Sequence, residues 1–453
     1  MEMVLSAILF LAGLAPVSAQ SPAYTLAAAV DAVLQRNPGV ESAGRRVAEA
    51  EAAQRETRTR RLPTLAVNSS FTRGDNPVYV FGTLMNQRSF TQADFALDSL
   101  NHPGLTNNFR SSFELGVPLF TGFQLQSRER LGRLGRDAAA SGHEAAAQSA
   151  RYSVVESFLQ VLLQKGLLET LQSRVDASAA DVESARRLRE KGLVLGSDYY
   201  AAQATLGGLQ AWRIRADAGL AAAKSRLAAL LGVSASALDV KGTLSHRDCA
   251  PESESELVAQ ALRQRPELAA AALQEQMAGV SQRQAGLSLL PAVEAFGAME
   301  TDTRDFQGNP WNKMFGVRAR LPLGDPSYLP RRSRARAALE ASRAEARGAR
   351  ESIGMEVSQV YEGWRGACAS LPVAKDTADK ARQSLELFRP LYREGRQSII
   401  EVLRAEEGMA KAQAAYLESL YGVHAGRARL LLAAGALDSA AIGDLERGLE
   451  AAR

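Results

Sequence analysis

The residues that could do chemistry are few, and most of them are scattered along the chain. The sequence contains neither a phosphate-binding glycine loop, nor a G-x-S-x-G motif, nor an H-E-x-x-H motif. The four histidines have no spacing that would make a metal site: His102, His143, His246 and His424. The sequence therefore predicts no enzyme, no metal site and no cofactor.

Two acidic residues stand in more regular surroundings. Asp198 lies in REKGLVLGSDYYAAQATL, and Glu401 lies in YREGRQSIIEVLRAEEGM. In both stretches a charged helix end is followed by a glycine, Gly192 or Gly395, and then by the acid at the start of an Ala-rich helix. Glycine supplies backbone freedom for a turn, and an acid is favoured at a helix N-terminus. The stretches predict two similar turns, whose acids either line a site or only begin a helix.

These turns belong to a pattern that recurs through the chain. The offset is 228 residues for Pro38 with Pro266 and for Pro63 with Pro291, and 204 for Pro118 with Pro322. It is 203 for the two glycines, the two acids, and the LLG and AAG endings at Gly232 and Gly435. Anchors in the same order at a nearly constant offset indicate an internal duplication. The drop of 24 residues predicts an insertion in the first half, between Pro63 and Pro118.

Each half predicts one amphipathic helix, two strands and a pair of long helices. The first helices run from Leu26 to about Arg61 and from Glu256 to about Leu290. No proline occurs from Leu119 to Ala250, and the spacing of apolar residues predicts one helix from about Phe123 to Glu190. That helix would be ~100 Å long at about 1.5 Å per residue, which implies an elongated molecule.

The strands alternate apolar and polar residues. In FRSSFELGVPLF, Phe109, Phe113 and Leu115 point one way, and Arg110 and Glu114 point the other; KMFGVRARLPL repeats the pattern. About eleven residues with one apolar face are typical of a tilted transmembrane strand, although a half-buried soluble strand also alternates. Four strands cannot close a barrel, and lipid does not tolerate open sheet edges. Several copies would therefore have to share one barrel.

The N-terminus has the pattern of a signal peptide cleaved after Ala19. Val4–Leu14 forms an apolar core that is too short to span ~30 Å of membrane, although the usual positive residues before it are missing. Gln20 stands where a lipid-anchored protein would need a cysteine. The sequence predicts an exported protein without a transmembrane helix.

Charge and cysteine content exclude two further classes. The net charge of +4 is small for 453 residues, which argues against a nucleic-acid binder. Cys249 and Cys368 could pair after export, but two cysteines cannot be the framework of a chain of this length. The sequence favours two unpaired thiols.

With these elements assigned, the sequence resembles the TolC-like family of outer membrane efflux proteins, over nearly the whole chain after the signal peptide. The resemblance rests on the NP and RP helix starts, PLFTG after the second strand, the two glycine turns and LLG, all in duplicated order. It implies a mainly α fold with a transmembrane β part. In this fold a homotrimer shares a 12-stranded β-barrel in the outer membrane of a Gram-negative bacterium, and its long helical hairpins form a periplasmic α-barrel.

The resemblance also implies a function and partners. It predicts a passive exit duct of a tripartite efflux system, opened at its periplasmic tip by a periplasmic adaptor and an inner-membrane transporter of RND or ABC type. Outer membrane lipids are expected as a further partner, and no nucleic acid. The alternatives are a duct for type I protein secretion and, in another class, a periplasmic coiled-coil scaffold without a pore.

The expected domain boundaries follow the duplication. Residues 1–19 are the signal peptide, 20–234 the first repeat, 235–255 an equatorial segment between repeats, 256–435 the second repeat and 436–453 an equatorial tail. Strands are expected at about 64–120 and 291–323, and helical hairpins at 123–232 and 327–434. The long loop at 76–108 is expected to be extracellular.

In the family, residues at the two turns constrict the periplasmic mouth. Glu401 matches an acidic ring at the inner aperture, in IIEVL. Ser197 and Asp198 match a polar pair of the first hairpin, and Tyr392 matches a tyrosine before the second glycine. In relatives such residues link neighbouring hairpins and hold the mouth shut.

The chain departs from the family pattern in two places. Gln397 stands where an arginine is expected, and Arg404 stands where a second acidic ring is expected. The closed mouth is therefore expected to be tied differently, through the adjacent Arg396. The hairpin tips are expected to contact the adaptor: Gly192, Leu193, Val194, Gly395 and Arg396.

Two asymmetries between the halves and one recurring pattern complete the sequence-based predictions. Pro372 and Pro390 would interrupt the long helix of the second half and make its hairpin the more bent and mobile one. Residues 76–108 are either a variable surface loop or, because they are rich in apolar residues, a lid over the outer end. Arginines after the second and fourth strands either form a collar that reaches lipid phosphates or only begin solvated helices: Arg128, Arg130, Arg332 and Arg334.

Overall fold

The structure is a computed structural model that describes residues 23–249, 252–305, 310–394 and 396–450. The predicted signal peptide lies outside these residues. The chain divides into two compact units. One consists of Met1–Val40, Ala147–Ala261 and Glu356–Arg453, and the other of Glu41–Ala146 and Leu262–Met355. Most of the described residues are helical, as the sequence predicts.

The helices and strands follow in chain order. The helices are α1 (Leu26–Arg36), α2 (Pro38–Thr59), α3 (Pro77–Asn86), α4 (Leu97–Asn101), α5 (Gln124–Glu190), α6 (Gly196–Leu231), α7 (Glu254–Gln264), α8 (Pro266–Gly286), α9 (Tyr328–Arg393), α10 (Ile399–Ala433) and α11 (Ser439–Glu450). The strands are β1 (Thr64–Gly74), β2 (Thr106–Thr121), β3 (Ala292–Thr303) and β4 (Trp311–Arg320).

The four strands form one antiparallel sheet in the order β1-β2-β3-β4. Ser70 pairs with Arg110, and Arg110 pairs with Asp302, so these side chains share one face. Successive residues along each strand point to opposite faces of the sheet. One face is polar, and the other carries Val67, Phe113 and Phe315. These three apolar side chains are exposed in the single chain.

The sequence predicts one continuous helix at the start of each half of the chain, and in the structure each of these helices is broken before a proline. The first breaks at Asn37, between α1 and α2, and the second at Arg265, between α7 and α8. Asn37 and Arg265 are extended, with ψ of 120° and 121°, because a residue before proline is pushed out of the helical region. The Asn37 side chain accepts hydrogen bonds from the N–H groups of Gly39 and Val40 and caps the new helix.

The prediction that Pro372 and Pro390 interrupt the long helix is wrong, because α9 continues through both of them. Each proline removes one backbone hydrogen bond from the helix. The neighbouring Leu371 and Leu385 are buried in apolar clusters with residues of α10, and this packing holds the helix across both sites.

The largest apolar core of the first unit surrounds Phe158 and Leu159 of α5. It brings α1, α6 and α11 together, and Leu227 and Leu445 are buried in it. The segment after α6 crosses this core as a strap, defined here as residues 238–249. Lys241 N–H donates to the carbonyl of Tyr24, and the buried His424 lies 2.9 Å from the Ser245 carbonyl through Nε2.

The expectation that both cysteines are unpaired is wrong. Cys249, at the end of the strap, forms a disulfide with Cys368 of α9, with their Cα atoms 6.0 Å apart. The chain just beyond is held to the same helices. Tyr361 donates a hydrogen bond to the Glu252 carbonyl, and Arg427 pairs with the Glu252 carboxylate at 2.5 Å. The strap therefore brings together two cysteines that are 119 residues apart.

Candidate functional site

The first glycine turn joins α5 to α6. Gly192 has a φ of +75°, in the left-handed region that favours glycine. The Gly192 N–H donates to the Arg189 carbonyl and the Leu193 N–H to the Leu188 carbonyl, both at 2.9 Å. This pair of bonds satisfies carbonyls at the end of α5. Leu193 is exposed and Val194 is half-buried at the tip.

The second glycine turn joins α9 to α10 and contains a backbone hydrogen bond equivalent to one in the first turn. The Arg396 N–H donates to the Leu391 carbonyl at 2.9 Å, as the Leu193 N–H does to Leu188. Gly395 itself lies outside the described residues. Ser398 caps α10 by accepting a hydrogen bond from the Ile400 N–H at 3.2 Å.

The two predicted acids both lie in the first turn of a helix, where the helix dipole favours them. The Ser197 hydroxyl lies 3.4 Å from the Asp198 carboxylate and donates to it. Glu401 pairs with Arg404 at 2.8 Å, one turn along the same helix. The structure therefore places a half-exposed carboxylate and an exposed guanidinium side by side.

The other polar residues of the second turn make weak contacts or none. Arg396 lies 3.5 Å from Glu394, and both side chains are exposed, so the pair contributes little to stability. Gln397 is exposed and makes no hydrogen bond with the part of this chain that the structure describes. Within that part, no hydrogen bond or ion pair joins Asp198 to Glu401.

Tyr392, a predicted gate residue, is half-buried. Its ring packs against an apolar cluster that includes Ala202 of α6 and Ile399 of α10. The hydroxyl is buried and has no hydrogen-bond partner among the described residues. Burial raises the pKa of Tyr392, and the nearby charges of Asp181 and Asp198 raise this pKa further.

A buried cluster of charges next to Tyr392 was not anticipated from the sequence. Glu406 of α10 is fully buried and forms ion pairs with Arg389 of α9 and, at 3.6 Å, with Arg174 of α5. Arg389 also lies 3.6 Å from Asp181 of α5. These four residues, the tip charge cluster, join three helices. Burial raises the pKa of Glu406, while Arg389 and Arg174 oppose that shift.

A sequence signal for this cluster exists. Val402, Leu403 and Met409 form the buried stripe of α10, and Glu406 occupies a position of that stripe. An acid on a buried stripe needs a partner, because an unpaired buried charge costs several kcal/mol. The partners lie on two other helices, so the pairing itself could not be predicted from the spacing within α10.

The tips also carry an aromatic contact. The guanidinium of Arg189 lies 5.0 Å from the ring centre of Tyr199 and 5.4 Å from that of Tyr200, within range of a cation–π interaction. This contact joins the end of α5 to the start of α6.

The predicted arginine collar lies in the second unit, at the end of the sheet where β1 and β3 begin and β2 and β4 end. The side chains are exposed and make no ion pair with any residue that the structure describes: Arg128, Arg130, Arg332 and Arg334. Nearby arginines are paired, as Arg61 is with Glu129 at 2.5 Å. The exposed four remain available to anions.

The described ranges contain neither a metal cluster nor a helix suited to cross a membrane. Within 23–249, 252–305, 310–394 and 396–450, no cluster of three or more His, Cys, Asp or Glu side chains is arranged to hold a metal ion. In the same ranges, no helix combines the length and the apolar character that crossing a membrane requires.

Comparisons with solved structures show the same fold in bacterial outer membrane proteins. The CmeC outer membrane channel of Campylobacter jejuni is 14% identical, with a TM-score of 0.78 over 94% of this chain and 90% of that chain. The outer membrane protein VceC of Vibrio cholerae is 17% identical, with a TM-score of 0.75 over 91% and 97%. A membrane protein from Pseudomonas aeruginosa is 18% identical, with a TM-score of 0.78 over 90% and 93%.

Sequence comparison extends this result from fold to family. Among curated proteins, no sequence matches the chain significantly. The family described as outer membrane efflux protein matches residues 29–233 and 257–436, which is most of the chain. The match covers both glycine turns and the charges beside them. The chain therefore belongs to the TolC-like outer membrane efflux protein family.

Proposed function

We propose that this protein is the passive exit duct of a tripartite efflux system. Three copies form one 12-stranded β-barrel in the outer membrane, and their long helices form an α-barrel in the periplasm. A periplasmic adaptor and an inner-membrane transporter of RND or ABC type open the duct at the helix tips and supply the energy. Each chain contributes two repeats, residues 20–234 and 256–435, joined by the segment 235–255.

The observation that carries this proposal is the two-faced sheet with open edges. β1 and β4 each pair with one neighbour in the sheet, so each has one side without a strand partner among the residues that the structure describes. Val67, Phe113 and Phe315 are exposed on one face, and the other face is polar. Unpaired edges are not tolerated in lipid. Edges from adjacent copies would pair and close a barrel with its apolar face toward lipid.

The turns support a gate that closes between copies rather than within one. The buried Tyr392 hydroxyl lacks a hydrogen-bond partner in the part of the chain that the structure describes. A buried hydroxyl without a partner costs free energy, so we assign its partner to a neighbouring hairpin. Glu401, three copies of which would face the axis, is screened by Arg404. The mouth would then carry three ion pairs in place of a bare acidic ring.

The arginine collar supports a membrane position for the sheet. Exposed arginines at the ends of the strands would lie where lipid headgroups begin, and lysine or arginine near such a surface is worth about 1 kcal/mol per residue. We propose that Arg128, Arg130, Arg332 and Arg334 contact lipid phosphates at the periplasmic face of the outer membrane.

Reconstitution tests the duct directly. The purified protein should insert into planar lipid bilayers and give discrete channel openings, and a tip variant such as Glu401→Gln should alter them. A pull-down from envelopes should recover a periplasmic adaptor. Protein that binds membranes without forming channels would contradict the proposal.

A further inference from the structure

We propose that the inserted segment between β1 and β2, residues 75–105, folds onto the pore side of the barrel and narrows its outer exit as a tethered cap. The inference rests on the proposed duct, because the duct assigns the polar face of the sheet to the pore. It goes beyond the duct by giving this chain a second constriction, at the outer exit of the barrel.

The segment leaves and rejoins the sheet at the end away from the arginine collar. β1 ends at Gly74 and β2 begins at Thr106, and these two residues pair with each other. The segment is not an open loop. It contains α3, a 3-10 turn at Gln92–Phe95 and α4. Asn76 caps α3 by accepting a hydrogen bond from the Tyr79 N–H, and Pro77 begins the helix.

The side of the sheet that α3 covers follows from the register. Asn108 and Arg110 of β2 and Asp302 of β3 belong to the polar face, since Arg110 pairs directly with Asp302. Asn108 donates to the Asp302 carboxylate at 2.5 Å, and Arg110 donates to the same oxygen at 3.0 Å. Asn108 and Asp302 are buried although they lie on a polar face.

The first tether joins the end of α3 to this buried group. The Gln87 amide donates to the Asn108 side-chain oxygen at 3.0 Å and to the Asn107 carbonyl at 2.9 Å. Since Asn108 is on the polar face, Gln87 is on that side of the sheet. Val80 and Thr83 of the same helix are buried.

A second tether reaches the other edge of the sheet. Arg88, which follows Gln87, donates to the Trp311 carbonyl of β4 at 3.3 Å. Arg88 has a φ of +54°, a conformation that non-glycine residues seldom adopt without a compensating contact. The two tethers fasten the insertion to β2 and to β4, two strands that β3 separates.

Two further contacts hold the rest of the segment. The Tyr79 hydroxyl donates to the Thr72 carbonyl at 3.1 Å, and its ring covers the polar-face side of Gly74. Phe90 packs edge-on against both Phe81 and Phe95, with ring centres 5.0 Å apart in each pair. A helix held in this way on the pore side of each chain would give three copies around the exit.

Cysteine labelling on intact cells tests the cap. Ser70→Cys places a thiol on the polar face, in the row next to Thr72 and Asn108. Ser69→Cys places a thiol one residue away on the apolar face. The probes are a bulky poly(ethylene glycol) maleimide and a small charged methanethiosulfonate, both unable to cross membranes. The untethered variant is Gln87→Ala with Arg88→Gly, because glycine keeps the left-handed backbone conformation accessible.

The cap predicts that Ser70→Cys reacts with the small probe and only slowly with the bulky one. In the untethered variant the bulky probe should react at least about tenfold faster, because the three hydrogen bonds of the two tethers no longer hold the closed form. Gln92→Ala is the matched control, since Gln92 is an exposed glutamine of the same segment. It should leave the rate unchanged. Replacing residues 77–103 by a short turn removes the whole cap, so the bulky probe should then react with Ser70→Cys at least as fast as in the untethered variant.

The outcomes separate the cap from the duct. Equal bulky-probe rates in the native, untethered and shortened proteins, with Ser69→Cys protected, would overturn the cap and leave the duct intact. If Ser69→Cys is labelled and Ser70→Cys is protected in all three backgrounds, the apolar face of the sheet lines the pore and the polar face does not. That result would overturn the proposed duct and, with it, the cap.

Discussion

Glu406 of α10 is fully buried and forms an ion pair with Arg389 of α9, one helix turn before Tyr392 and the second glycine turn. The pair lies where the hairpin of α9 and α10 meets α5, because Arg174 and Asp181 of α5 complete the tip charge cluster. The proposed gate therefore rests on a buried set of charges within each chain, and not only on contacts between chains.

Removing the acid of this cluster should loosen the hairpin. Glu406→Gln leaves the partly buried guanidinium groups of Arg389 and Arg174 with less compensation. Breaking a fully buried pair costs about 3–5 kcal/mol, and we expect a smaller loss here because the Arg389 side chain is 32% exposed. Hydrogen exchange of residues 385–409 should accelerate, and channel openings in bilayers should become more frequent. The control is Glu407→Gln, whose exposed carboxylate pairs with Lys411 at 2.6 Å. It should change stability by about 0.5 kcal/mol or less, and equal effects of the two variants would contradict this role.

Removing the positive or the negative charge of the Glu401–Arg404 pair should shift the ion preference of the channel in opposite directions. Arg404→Ala frees Glu401 from its partner and should raise the preference for cations, whereas Glu401→Gln should lower it. The interaction is exposed and worth about 0.2–1 kcal/mol, so we expect changes of about one and a half- to fivefold. Reversal potentials across a salt gradient measure them, with Glu407→Gln as a control of equal charge. Shifts of the same sign for both mouth variants would be inconsistent with the pair.

Opening the disulfide should destabilise the first unit. Cys249 and Cys368 close a loop with a sequence separation of 119, and a crosslink over a loop of this order contributes about 4–5 kcal/mol in the chain-entropy description. The double variant Cys249→Ser with Cys368→Ser should unfold at lower urea concentration than the native protein. Reductant should lower the native midpoint to that of the variant and leave the variant unchanged. A native midpoint insensitive to reductant would show that the bond does not contribute.

Acid should weaken the anchoring of the strap through His424. Burial lowers the pKa of His424 from its ordinary value of 6.5, the Ser245 carbonyl opposes that shift, and the charge of Arg247 adds to it. The unfolded chain thus binds more protons than the folded chain below pH 6.5, so stability falls as the pH drops through that range. Melting temperatures at neutral and mildly acid pH measure the loss.

The matched variants isolate that histidine. His424→Gln keeps a donor toward the Ser245 carbonyl but cannot titrate, so it should reduce the pH dependence. His246→Gln changes an exposed histidine of the strap and should keep the native dependence. If His424→Gln melts with the same pH dependence as the native protein, the loss has another source.

The sequence predicts well those helices and turns that are determined by residues close together in the chain. The long helix expected from about Phe123 to Glu190 corresponds to α5 at Gln124–Glu190, because its apolar spacing is unbroken by proline. The NP and RP motifs were recognised as helix starts, but each was placed inside one continuous predicted helix, although the restriction on the residue before proline predicts a break at Pro38 and at Pro266. Asn76 and Pro77 likewise form a helix-start signal, inside a segment that was predicted only as a loop or lid.

The remaining features depend on contacts between distant residues. Nothing near Cys249 in the sequence indicates that a strap carries it to Cys368. The partners of Glu406 come from two other helices, and the pairing of Gln87 with Asn108 depends on how α3 folds back onto the sheet. The continuity of α9 at Pro372 depends on packing that the proline alone does not reveal.

The shared barrel is the central claim, and the mass of the native oligomer tests it most directly. The mature protein would be extracted from the outer membrane fraction in mild detergent, and its mass would be determined before and after boiling. We predict a trimer in that fraction that dissociates to single chains on boiling. A monomer or dimer recovered as soluble protein from the periplasm would mean that the strands do not span a membrane, and would contradict the account.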